Sequence, residues 1–90
     1  MAGAKREYIR FNAEENTFLV IKVGEHPAIG GLCVTESQGG CSGSFLNHDY
    51  FVAGEKVLLR VGKMDTILAE IRWVTQLDED IVKIGFKYLE

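Results

Sequence analysis

Arg6 and Arg10, in the stretch "REYIR", stand four residues apart just ahead of the first β-rich segment. That interval turns both side chains to one side, whether the chain there is extended or helical. Two guanidinium groups on one side can fork onto phosphate oxygens, reach the O6 and N7 acceptors of guanine, or stack on a base. The same pair also fits a solvated chain terminus that holds nothing. A second polar cluster, Ser37-Gln38-Gly39-Gly40, interrupts an otherwise apolar stretch. Glycine inside a strand costs stability, so either the chain turns tightly here or something approaches its backbone closely. Free N–H groups at such a corner, together with the Ser37 hydroxyl, make a polar surface open to a ligand. A plain glycine-rich turn accounts for the same residues.

Other combinations carry less. Cys33, Cys41, His26 and His48 lack the close Cys-x-x-Cys or His-x-x-x-His pairs of a zinc site. The two cysteines fit better as small apolar strand residues. Asp78, Glu79 and Asp80 read as a solvated hairpin tip, too few and too bunched for a calcium loop. No nucleophile–base pair and no phosphate-binding loop is present, so nothing in the sequence argues for an enzyme.

The elements that must position these residues follow a period of two. In "TILAEIRWVT", Ile67, Ala69, Ile71 and Trp73 alternate with Leu68, Glu70, Arg72 and Val74, which places Trp73 on the inward, core phase. "EKVLLRV" turns Val57, Leu59 and Val61 inward, and "IVKIGFKYL" does the same with Val82, Ile84, Phe86 and Tyr88. Thr17–Val23, Ile29–Glu36 and Cys41–Leu46 supply three further strands. Between them lie short polar connectors such as "GEHP", "GKMD" and "QLDED". No segment sustains a helical period. About six short antiparallel strands in one small domain predict a sheet closed on itself, an all-β, six-stranded barrel, because closure removes exposed edges.

At 90 residues there is room for a single domain, divided into a flexible basic arm over 1–13 and the barrel over 14–90. No apolar run approaches the ~20 residues of a membrane span, and the N-terminus lacks a secretory apolar core. These features predict a cytoplasmic protein with reduced cysteines. Net charge is −3, but residues 1–10 carry three basic side chains against one acidic. The remainder carries seven basic against twelve acidic. A basic arm on an acidic body suits a small anionic ligand better than DNA or RNA, which the body would repel.

In this order, on a small barrel, "REYIR" and "TESQGG" resemble the two motifs of the PilZ domain family, bacterial receptors for cyclic dimeric GMP. "VAGEKVLLRV", "AEIRWV" and "IVKIGFKY" resemble that family's later strands, and the likeness runs from Lys5 to Tyr88. It implies a PilZ-like barrel with a mobile arm that wraps the nucleotide. Arg6 and Arg10 would grip phosphates and guanine edges. Thr35, Ser37, Gly39 and Gly40 would contact the rest of the ligand. No cofactor or metal is implied beyond the ligand cyclic di-GMP. The implied partners are that nucleotide and an effector protein, with a role in motility, adhesion or exopolysaccharide output. Thr35 stands where the family has Asp or Asn, and a hydroxyl offers a guanine one acceptor and no charge. The loss amounts to about 1.5–3 kcal/mol, roughly ten- to hundred-fold in affinity. A divergent adaptor that binds protein and no nucleotide is therefore the alternative.

Overall fold

The computed structural model describes residues 17–90 together with the backbone of Phe11 and Asn12. Seven antiparallel strands form one sheet: β1 (Phe11–Asn12), β2 (Phe18–Lys22), β3 (Ile29–Glu36), β4 (Gly40–Leu46), β5 (Lys56–Val61), β6 (Ile67–Gln76) and β7 (Ile81–Tyr88). The order is β1-β3-β2-β5-β6-β7-β4, and an additional β3–β4 pairing closes six of the strands into a barrel. Strand β3 has two neighbours on one side. Phe18–Ile21 of β2 pair with Ile29–Leu32, and β1 takes over further along, with Phe11 opposite Glu36 and Asn12 opposite Thr35.

Alternating side chains fill the interior, as the sequence pattern requires. Leu19, Ile21, Leu59, Ala69, Ile71, Val82 and Ile84 are fully buried. Phe45 meets Phe86 edge-on at 5.9 Å between ring centroids and Phe51 at 6.0 Å. Burial of each such side chain contributes about 1.5–3 kcal/mol. The β2–β3 and β4–β5 connections meet where Tyr50 stacks on His26, 3.8 Å between centroids, and on His48, 5.0 Å. In the β6–β7 connection Asp78 Oδ1 accepts hydrogen bonds from the N–H groups of Asp80 (2.8 Å) and Ile81 (2.9 Å). That is an Asx-type turn, and it explains the acidic tip by local backbone capture.

The six long strands fall where the sequence places them, but two β-bulges interrupt the alternation. One lies in β3 between Cys33 and Thr35, the other in β6 between Ile71 and Trp73. An extra residue in a strand inverts the face of everything beyond it. Trp73, expected in the core, is therefore turned outward and is 37% exposed. Val74 packs against the core instead.

Candidate functional site

The two bulges act on the same face of the barrel. In register across four strands, Thr35 of β3 is opposite Ser42 of β4, Ser42 is opposite Gly85 of β7, and Gly85 is opposite Trp73 of β6. The backbone of Asn12 in β1 extends the row on the Thr35 side. Without the first bulge Thr35 would point into the core, and without the second so would Trp73. The row beyond it, Glu36, Cys41, Phe86 and Ile71, is in register likewise and faces the interior side.

Each member of the outer row has a local reason to be there. The Thr35 and Ser42 hydroxyls share a hydrogen bond of 2.7 Å, which satisfies Ser42 although it is only 1% exposed. Trp73 lies flat over Gly85, where a Cβ would run into the indole ring. Glycine here is required by close approach of an aromatic face. Lys83 Nζ stands 6.0 Å from the centroid of the indole, a cation on the rim of an aromatic.

Next to this row is a concave depression of about 530 Å³. Its walls are the β3–β4 hairpin from Ser37 to Cys41, Arg72 and Trp73 at the β6 bulge, and the end of β7 through Gly85, Lys87 and Tyr88, with Glu90 beyond. Two cations and one carboxylate line it, together with an indole face. Such a lining can take a planar aromatic ring with an attached anion. The Ser37 N–H and hydroxyl both donate to the Gly40 carbonyl, at 2.9 and 3.2 Å, which leaves the hydroxyl lone pairs as acceptors. The Gly39 carbonyl accepts from the Tyr88 N–H at 2.9 Å, tying the hairpin to β7. Gly40 is a glycine for a reason inside the chain. A Cβ there would overlap the Phe86 carbonyl oxygen and lie 3.1 Å from its carbon. The glycine cluster thus permits close strand approach at Gly40.

Of the residues singled out in the sequence, Ser37, Gly39 and Gly40 line the depression. Thr35 sits in the outer row, joined to Ser42. Arg6 and Arg10 lie outside the described residues. Arg72, Trp73 and Lys87 were missed. The one available signal was Gly85, an isolated glycine within a strand pattern, which marks a bulge or a close approach.

Behind the depression the two thiols and the Tyr88 hydroxyl are held in their neutral forms. Burial pushes the Cys41 thiol up to about 12 and the Cys33 thiol up to about 11, with the Glu36 carboxylate adding to both. The Tyr88 hydroxyl is raised as well, by burial first and by the neighbouring Cys41 second. It is buried without a well-formed hydrogen bond, although the Cys41 thiol is close enough to perturb it. Neutral thiols are poor nucleophiles and poor metal ligands. Among the described residues no three of His, Cys, Asp and Glu could hold a metal ion. These shifts have a sign. The unfolded chain releases thiol protons near pH 9.0 and the folded chain holds them to about 11–12, so above pH 9 the unfolded state binds fewer protons. Stability is expected to be insensitive to these groups below pH 9 and to fall as pH rises from there. Urea denaturation between pH 8 and 11, with a Cys33→Ala/Cys41→Ala chain showing a shallower decline, checks this.

The architecture is that of a PilZ-type β-barrel. The chain superimposes on the PilZ domain, solved with c-di-GMP, of YcgR from Escherichia coli. The TM-score is 0.76 at 14% identity, over 96% of this chain and 79% of that one. It also resembles the Bacillus subtilis inhibitor of motility, MotI (DgrA), with a TM-score of 0.65 at 21% identity. That match takes in 96% of this chain but spans only 43% of MotI. At such identities the likeness is one of fold. No family model matches the sequence, and no curated protein does.

Proposed function

We propose that the protein is a cytoplasmic cyclic di-GMP receptor that signals through a partner protein. The observation that carries this reading is the outer-face depression, where the Ser37–Gly40 hairpin meets Trp73, Arg72 and Lys87. A guanine can lie against the indole while Arg72 and Lys87 meet phosphate oxygens. The solved PilZ domain of the same fold, which holds c-di-GMP, supports the choice of ligand. Arg10 is bonded directly to Phe11, whose backbone is paired with Glu36 beside this site. The arm that carries Arg6 and Arg10 is therefore joined to the barrel next to this site, and in this reading both arginines meet the same ligand. In this reading the basic arm ahead of β1 closes over the nucleotide, and Thr35 and Ser37 contribute neutral acceptors to its edges.

Calorimetric titration of cyclic di-GMP into the full chain tests it. The expected result is a dissociation constant in the micromolar range or below that weakens as salt is added, because phosphate contacts are screened. No heat at any practical concentration would sink the receptor reading. It would leave the adaptor alternative, which Thr35 in place of the family's Asp or Asn favours.

A further inference from the structure

A different face of the barrel carries a second depression, of about 340 Å³, lined by Val20, Lys22, Ala28, Leu58, Arg60 and Thr66. In the β2–β5 pairing Val20 is opposite Arg60 and Lys22 is opposite Leu58. The four side chains make a square, with apolar groups on one diagonal and cations on the other. Leu68, opposite Leu58, extends the apolar ground on one side, and Phe18, opposite Leu32, extends it on the other. Leu58, Phe18 and Leu32 are each about half exposed.

Two features make this face more than an outward sheet surface. Lys22 Nζ donates a hydrogen bond to the Gly24 carbonyl at 2.8 Å, and no carboxylate among the described residues bridges Lys22 or Arg60. No acidic residue lines the depression, in a chain whose net charge is −3. Beside Val20 sits Gly30, at the start of β3, where an added Cβ would meet nothing nearer than 3.9 Å. The fold does not need a glycine there, unlike at Gly40. A glycine kept in open space on an apolar, cationic face flattens the floor for an outside surface.

We propose that this face docks an acidic amphipathic helix of a partner protein. Strands β2 and β5 are paired on both sides, so an incoming strand finds no free edge and recognition must run through side chains. A helix with apolar residues along one stripe and a carboxylate on each flank of that stripe matches the diagonal square. The stripe fills the ground between Val20 and Leu58, and the carboxylates neutralise Lys22 and Arg60. The arm and its arginines play no part, so this inference stands apart from the nucleotide reading.

A photo-crosslinking residue placed at position 58 of the full chain, expressed in its native cell, tests the proposal. Position 77, also exposed but in the β6–β7 hairpin, serves as the control. The expected result is an adduct at 58 and none at 77, mapping to a helical segment of another protein in which carboxylates flank apolar residues. Lys22→Glu with Arg60→Glu should cut its yield at least tenfold, with a melting temperature within a few degrees of the parent. Should that chain fail to fold, Lys22→Ala with Arg60→Ala gives the same reading. An adduct to a second copy of this chain, to lipid, or to a basic segment would overturn the proposal. So would equal labelling at 77, no adduct, or a yield indifferent to charge reversal.

Discussion

Replacing Arg6 and Arg10 together by alanine is expected to abolish detectable cyclic di-GMP binding while leaving the barrel folded. Each arginine can make charge-assisted contacts with phosphate or a guanine edge, worth about 1.5–3 kcal/mol apiece. Losing both therefore amounts to roughly 3–6 kcal/mol, on the order of a hundred- to ten-thousand-fold in affinity. The barrel core is built from strands downstream of both residues, so the thermal midpoint without ligand should hardly move. Calorimetry on parent and variant, with melting followed by circular dichroism, separates the two effects. Unaltered binding in the variant would shift the phosphate contacts to Arg72 and Lys87, within the described site. A collapse of stability would mean the arm is structural.

Gly40→Ala should do the reverse, acting on the fold first. The new methyl group would press on the Phe86 carbonyl, a backbone atom that cannot rotate away. Strands β4 and β7 run in register from Gly40 to Leu46, so local separation must propagate along the pairing. Overpacking of this kind costs about 3 kcal/mol, at the upper end of its usual range. In a domain of this size each kcal/mol lowers the melting temperature by about 4–8 °C, which gives a fall of roughly 12–24 °C. Gly30→Ala is the matched control. With open space around it, alanine there is expected to stabilise by about 0.5–1 kcal/mol. Thermal melts of the two variants side by side check the contrast. Equal behaviour would mean that Gly40 is not held by strand approach.

What the sequence made legible was the part of the structure governed by period two. Val57, Leu59, Val61, Val82, Ile84 and Phe86 alternate without interruption, and all are buried. The motif region was legible too, since the Ser37–Gly40 segment is the β3–β4 corner and lines the depression. Trp73 was not. A bulge is one extra residue whose neighbours look like any other strand, and nothing in "EIRWV" marks where the phase inverts. The same device in β3 decides the face of Thr35. Gly85 held the information in indirect form, because a strand glycine opposite a tryptophan is room made for a ring. Gly40 misled in the other direction. Its glycine suggests an approaching ligand, and the approaching group is the chain's own β7.

The pairing of β4 with β7 joins segments some forty residues apart, whereas β3–β4 and β6–β7 are hairpins between consecutive strands. Loop closure of that length, which the β2–β5 pairing shares, is the entropically demanding part of assembly, and hairpins form before it. The row from Thr35 to Trp73 crosses this seam at Ser42 and Gly85. Thr35 and Ser42 belong to one folding unit, Gly85 and Trp73 to another, and neither carries the binding surface alone. Under the proposed function, recognition is therefore a property of the finished barrel. In the proposed reading, a molecule lodged across the seam latches one of the two long-range pairings that join the halves of the barrel, so occupancy and cooperative closure become one equilibrium.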